Sequence, residues 1–133
     1  MASTLKINTL TGVTTAGSIA VTGEGNSTTT NLQQGLAKYS GVWDNNSDNT
    51  IRDSFNVSGV TDNATGDFTV TFTNAMGNEF YSALGNTSGE NNQYGVCSSQ
   101  DTHSTTGCGY QARKTGTTTD FNKNSFAGIG DLA

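Results

Sequence analysis

Asp67-Phe68-Thr69-Val70-Thr71-Phe72-Thr73 places an apolar side chain at every second position and a polar one between. Successive side chains of an extended strand point to opposite faces, so this run has one face for a core and one for water. A helix would scatter the same residues around its axis, because its neighbours are three and four apart. The run is therefore a strand in any fold the chain adopts. Ile51-Arg52-Asp53-Ser54-Phe55-Asn56-Val57 repeats the pattern, and Gly59–Gly66 follows it as a cluster of turn formers. Further short strands are expected over 79–85, 94–99, 105–112 and 124–128. Regular strand–turn spacing of this kind points to a β-sandwich or barrel. No crossover helix is on offer between these runs, so the sheet is expected to be mostly antiparallel.

Thr, Gly, Asn and Ser number 23, 17, 15 and 13, which makes 68 of 133 residues, while only 32% are hydrophobic and 13% charged. Such polarity invites a disordered reading, but disorder also calls for high net charge and few β-branched or aromatic residues. Eleven aromatics are present here, and all lie from Tyr39 onward. The first 38 residues thus have little to bury. The expected fold is all-β, with an N-terminal extended arm and short helix (1–40) leading into an antiparallel β-sandwich (41–133). A net charge of −5 with six Lys and Arg leaves no electrostatic footprint for nucleic acid or an anionic membrane. No run approaches the roughly 18–20 apolar residues of a membrane span, and no basic-then-apolar export signal opens the chain.

Within the arm, 4–8 and 18–21 read as short strands, with Leu5, Ile7 and Leu10 as apolar side chains seeking a partner surface. Two isolated strands are marginal in water. The stretch 26–40 is the one place a helix is plausible. Leu32 and Leu36 are i,i+4 neighbours and Tyr39 extends their stripe. Two readings stay open: a seam between symmetry-related helices, or a linker helix lying on its own β domain.

Cys97 and Cys108 flank ten residues. A hairpin centred on 101–104 would set Val96 against Gly109, Cys97 against Cys108 and Gln100 against Thr105. A disulfide between facing cysteines and a pair of reduced thiols are the two alternatives. Zinc on Cys97, Cys108 and His103 lacks a fourth ligand and the usual spacing. Asp44-Asn45-Asn46-Ser47-Asp48-Asn49 resembles a hard-cation loop but lacks the glycine and glutamate of an EF-hand; a polar turn is the expectation. The acids fall largely in turn clusters, and no G-x-S-x-G motif accompanies the single histidine. Neither catalysis nor a cofactor is expected. Trp43 is expected as a core or interface anchor. Tyr94, Asp101, His103 and Tyr110, gathered with Asn91, Asn92 and Gln93, have the composition of an adaptable contact surface.

The opening MASTLKINTLTGVTTAGSIAVTGEGNSTTTNLQQGLAK resembles the openings of virion structural proteins from marine tailed bacteriophages, in which a short strand begins the chain and a TTNLQQGLAK-like segment leads into a β domain. IRDSFNVSGVTDNATGDFTVTFTNAM resembles the first strands of that domain on fibre-type proteins. The likeness covers roughly residues 1–76. It implies a trimeric short fibre, with Leu5, Ile7 and Leu10 docking into the particle, Leu32, Leu36 and Tyr39 at the trimer seam, and an outward β domain meeting the host. Partners would be two further copies, other virion proteins of tail or capsid, and a host glycan or surface protein. A capsid-attached fibre or decoration protein and, from a different class, a secreted carbohydrate-binding module are the competing readings; a β-sandwich hydrolase ranks behind both.

Overall fold

The computed structural model describes residues 5–12, 19–22, 29–89, 94–99 and 102–131. The chain divides into two compact units, Met1–Gly35 and Leu36–Ala133. Among the described residues it is all-β, with antiparallel pairing throughout and a single turn of helix.

The first unit holds β1 (Ala20–Thr22), β2 (Thr29–Asn31) and α1 (Leu32–Gly35). β1 and β2 pair antiparallel, Ala20 opposite Asn31 and Thr22 opposite Thr29. The Leu32 N–H donates to the Ile19 carbonyl at 2.8 Å, tying the helical turn to the ribbon. Residues 5–12 belong to no strand, which departs from the strand expected over 4–8.

The helix expected within 26–40 is cut to four residues. Gly35 ends it, and from Ala37 the chain is already β3 (Ala37–Asp44). Tyr39 decides the matter: its ring is wholly buried and lies 4.4 Å from that of Phe72. Burying an aromatic ring of that size outweighs the weak preference of a short polar segment for helix. The Leu32–Leu36–Tyr39 stripe therefore does not form. Leu36 follows the helix and is 53% exposed, Leu32 is half-buried, and Tyr39 is a core residue. The unit boundary accordingly falls after Gly35, and a boundary at 40 would cut β3 in two.

The second unit contains β3, β4 (Thr50–Phe55), β5 (Val57–Ala64), β6 (Asp67–Phe72), β7 (Ser82–Ser88), β8 (Tyr94–Ser99), β9 (Gly107–Lys114), β10 (Thr117–Thr118) and β11 (Lys123–Ile129). They form one nine-stranded sheet in the order β4-β3-β11-β7-β8-β9-β6-β5, with β10 added to β9. The sheet doubles over on itself in the manner of a β-sandwich. β8 is one fold line: its first two residues pair with β7 and its last four with β9. Asn56 is the other. It alone separates β4 from β5, which stand at opposite ends of the strand order. Its φ of 55° is a left-handed conformation that Asn tolerates better than most residues. The Asn56 amide donates to the Lys38 and Asn74 carbonyls at 2.9 and 3.2 Å, and its oxygen accepts the Asn74 N–H at 2.7 Å.

Between the halves lies an aromatic core. Trp43, Phe68, Phe72, Tyr39, Tyr81, Tyr110, Phe121 and Phe126 are all buried. Phe68, Val70 and Phe72 supply the β6 contribution, the face that the alternation of that segment specifies. Trp43 packs on Phe68 at 4.7 Å as the expected anchor. Gly128 faces inward beneath the Tyr39 ring, which occupies the space a Cβ would need.

Candidate functional site

The polar loop after β3 builds one end of the sandwich. Asp44 Oδ1 accepts the N–H groups of Asn46 (3.0 Å) and Ser47 (3.1 Å). Its Oδ2 accepts the Ser47 hydroxyl (2.7 Å) and the Arg52 guanidinium (2.9 Å). Arg52 also reaches Asp48 at 3.0 Å. Burial pushes the Asp44 carboxyl up, but the Ser47, Arg52 and Asn46 donors outweigh it and hold the group at about 2. A cation-binding loop keeps its carboxylate oxygens for the ion. Here the protein's own arginine and backbone occupy them, so the segment is a turn, as its composition suggests. Beside it, Asn45 donates to Asp120 (2.8 Å) and accepts from the Phe121 N–H and the Asn124 amide (2.9 and 2.8 Å). The Gly66 N–H binds the same Asp120 oxygen at 2.7 Å. These bonds pin the β3–β4, β5–β6 and β10–β11 connections together.

At the β8–β9 connection the structure rearranges the expected contact surface. Tyr110 is not on it. Its ring is fully buried, stacked on Phe68 at 5.5 Å, and its hydroxyl shares a 2.8 Å hydrogen bond with that of Tyr39. His103 lies half-buried with its ring edge-on to Tyr81 at 4.9 Å. Tyr94 opens β8 opposite Ser88. Asp101 lies outside the described residues. The four residues therefore do not make one surface, and Tyr110 serves the core instead.

The hairpin register explains this, and separates the cysteines too. Ser104 and Gly107 close a tight turn of their own, which shifts β9 along so that Cys97 faces Ala112 and Tyr110 faces Ser99. Cys108 faces Val70 of β6. The slip from the expected partner is four residues, about 13 Å of strand, well beyond the roughly 7 Å that a disulfide spans. Four is an even number, so both thiols keep their inward face. Both are free and buried. Burial, with a lesser electrostatic contribution from Cys108, pushes the Cys97 thiol up to about 12. Burial also raises Cys108, against hydroxyl contacts from Tyr39, Tyr81 and Tyr110. Such thiols are inert packing groups.

What the surface does offer is uncovered apolar area. In the first unit, Leu5, Ile7 and Leu10 are 80%, 51% and 54% exposed. In the domain, every residue of β4 is exposed, and Phe55 stands 57% open beside a hollow of about 190 Å³ lined by Ser40, Gly41, Val42, Asp53, Ser54, Phe55 and Phe126. Leu84 and Ile129 add exposed area to the same half of the sheet.

Compared with known proteins, the chain matches no protein-family profile, no curated protein and no solved structure.

Its chemistry must then be read from the surface alone. The arm residues were legible in advance as apolar side chains without local company. The β4 edge was not, because Ile51, Phe55 and Val57 read as an ordinary core face. A signal does exist beside them: two charged residues, Arg52 and Asp53, adjoin in the middle of a short strand, which is a common guard on an exposed edge.

Proposed function

We propose that the protein is a non-enzymatic structural component of a bacteriophage particle: a short trimeric fibre of the tail, held by its N-terminal arm and presenting its β domain to the host surface. The observation that carries this reading is the arm. Three large apolar side chains, Leu5, Ile7 and Leu10, stand more than half exposed in the single chain, whereas the second unit has an aromatic core of its own. Exposed apolar side chains on an extended segment gain about 25 cal/mol for each Å² that a partner covers. The likeness of residues 1–76 to the arm and first strands of phage fibre-type proteins points the same way. Attachment to a cell would then work by avidity, since several weak contacts held on one particle act at high effective concentration.

The test is incorporation into particles. Leu10→Asp should leave the protein folded and assembled but absent from purified virions. A variant that still co-purifies with particles at the wild-type ratio rules out this role for the arm. A solution mass of about three times 13.8 kDa is expected for the assembled protein.

A further inference from the structure

We propose that the free edge of β4 is a strand-acceptor site, filled by Leu5–Ile7 from the arm of a second copy of this chain. The inference rests on the trimeric reading above and says how the copies are joined. β4 ends the strand order, so the edge facing away from β3 has no backbone partner among the described residues, and all six residues of β4 are exposed. Residues 5–12, in turn, belong to no strand. An extended peptide that adds to an open edge gains main-chain hydrogen bonds from the edge and specificity from alternate side chains.

Charge and shape select the occupant. Lys6 is the one charged residue among 5–12, and Asp53 is the one charged residue lining the hollow beside β4. Asp53 is in no ion pair among the described residues, unlike its neighbour Arg52, which Asp44 and Asp48 hold. Setting Lys6 antiparallel and opposite Asp53 places Leu5 opposite Ser54. Ser54 pairs with Gly41, whose missing side chain would point at the Phe126 ring. Because side chains alternate along a strand, Leu5 then enters the hollow on the side of Ser54, Gly41 and Phe126, while Lys6 meets Asp53 on the other face, which Phe55 shares. One register thus satisfies the charge pair and buries the most exposed side chain of the arm. Each copy gives an arm and receives one, so the contact is head-to-tail and closes as a ring of three. Leu10 lies beyond the paired segment and stays free for the particle.

A charge exchange in the full-length protein tests this. Lys6→Asp and Asp53→Lys each set like charges opposite one another, and each should raise the protein concentration needed for trimer assembly by about tenfold. The double variant K6D/D53K should return assembly to near the wild-type concentration. Mixing the two single variants should restore it in part, because complementary charges then meet only across chains. Circular dichroism should show all four proteins equally folded, since both positions lie on the surface. A wild-type trimer that ignores the single changes, or that the double variant fails to restore, overturns the arm exchange and leaves the trimer standing. Recovery in the double variant but none in the mixture places the arm on its own chain and also overturns it. A wild-type monomer removes both the trimer and the exchange, and a wild-type dimer shows that edges of β4 pair with each other instead.

Discussion

Asp44 shows how a single side chain can turn a suggestive sequence into plain architecture. Its carboxylate accepts four hydrogen bonds within its own loop and from Arg52. The group moves from 3.8 to about 2 on folding. A carboxyl that binds its proton less readily when folded contributes stability above its unfolded value, and loses it as pH falls through the folded one. The contribution is therefore whole above about pH 4 and drains away toward pH 2. At about 1.36 kcal/mol per unit it amounts to about 2 kcal/mol, reduced by solvent screening because Arg52 is half exposed. Asp44→Asn should lower the Tm at pH 7 and flatten its decline between pH 4 and 2; equal slopes for the two proteins would refute this assignment. The core behaves oppositely. Cys97, Cys108, Tyr39, Tyr81 and Tyr110 all hold their protons more tightly when folded, chiefly through burial. Their contribution is complete below the ordinary thiol and phenol range and is lost as pH rises from about 9 toward 12. Native protein at pH 8 should leave both thiols unlabelled by iodoacetamide, with full labelling on unfolding. Rapid labelling of the native protein would show that the thiols are not packed as described.

Elements were legible where the pattern is local. The alternation of Phe68, Val70 and Phe72 specifies β6 and its buried face, and the segment 94–99 coincides with β8. β4 shows the limit. Ile51 and Phe55 alternate like core residues, yet the whole strand is exposed, because it is an edge and nothing in its own six residues records which strand lies beside it. The cluster Gly59–Gly66 is rich in turn formers, but most of it is strand, since β5 runs to Ala64 and only Thr65–Gly66 turns. An edge strand tolerates Gly and Asn better than a central one, because one side of its ladder is unused. β3 was hidden for another reason: Tyr39 looked like the end of a helical stripe until its ring met Phe72. The close approach of β3 and β11 gives this scale its own prediction. Gly128→Ala drives a methyl into the Tyr39 ring and should cost about 1–3 kcal/mol, as overpacking does. Thermal unfolding should report it as a loss of about 4–8 °C per kcal/mol, and an unchanged Tm would mean that the two strands are not packed this closely.

Over the whole molecule, the division of apolar residues becomes a division of labour. Every aromatic lies in the unit from Leu36 to Ala133, and that unit encloses its own core. A chain truncated to residues 36–133 should therefore keep a cooperative unfolding transition, and under the proposed fibre role it should form no trimer and enter no particle. A truncated protein that fails to fold would show that the arm belongs to the core after all. The sequence by itself determined that the chain is all-β, where its clearest strand lies and which face of it is buried, and that the first 38 residues could not sustain a core. These are properties of period-two alternation and of composition, and both are local. The tertiary structure alone decided which strands stand at the edges, that Cys97 and Cys108 miss each other by four residues, that Tyr110 points inward, and that β4 with Asp53 and Phe55 is left open. Those outcomes depend on register and strand order. Both are set by how a sheet closes across contacts as distant as Tyr39 with Tyr110, and no local pattern carries that information.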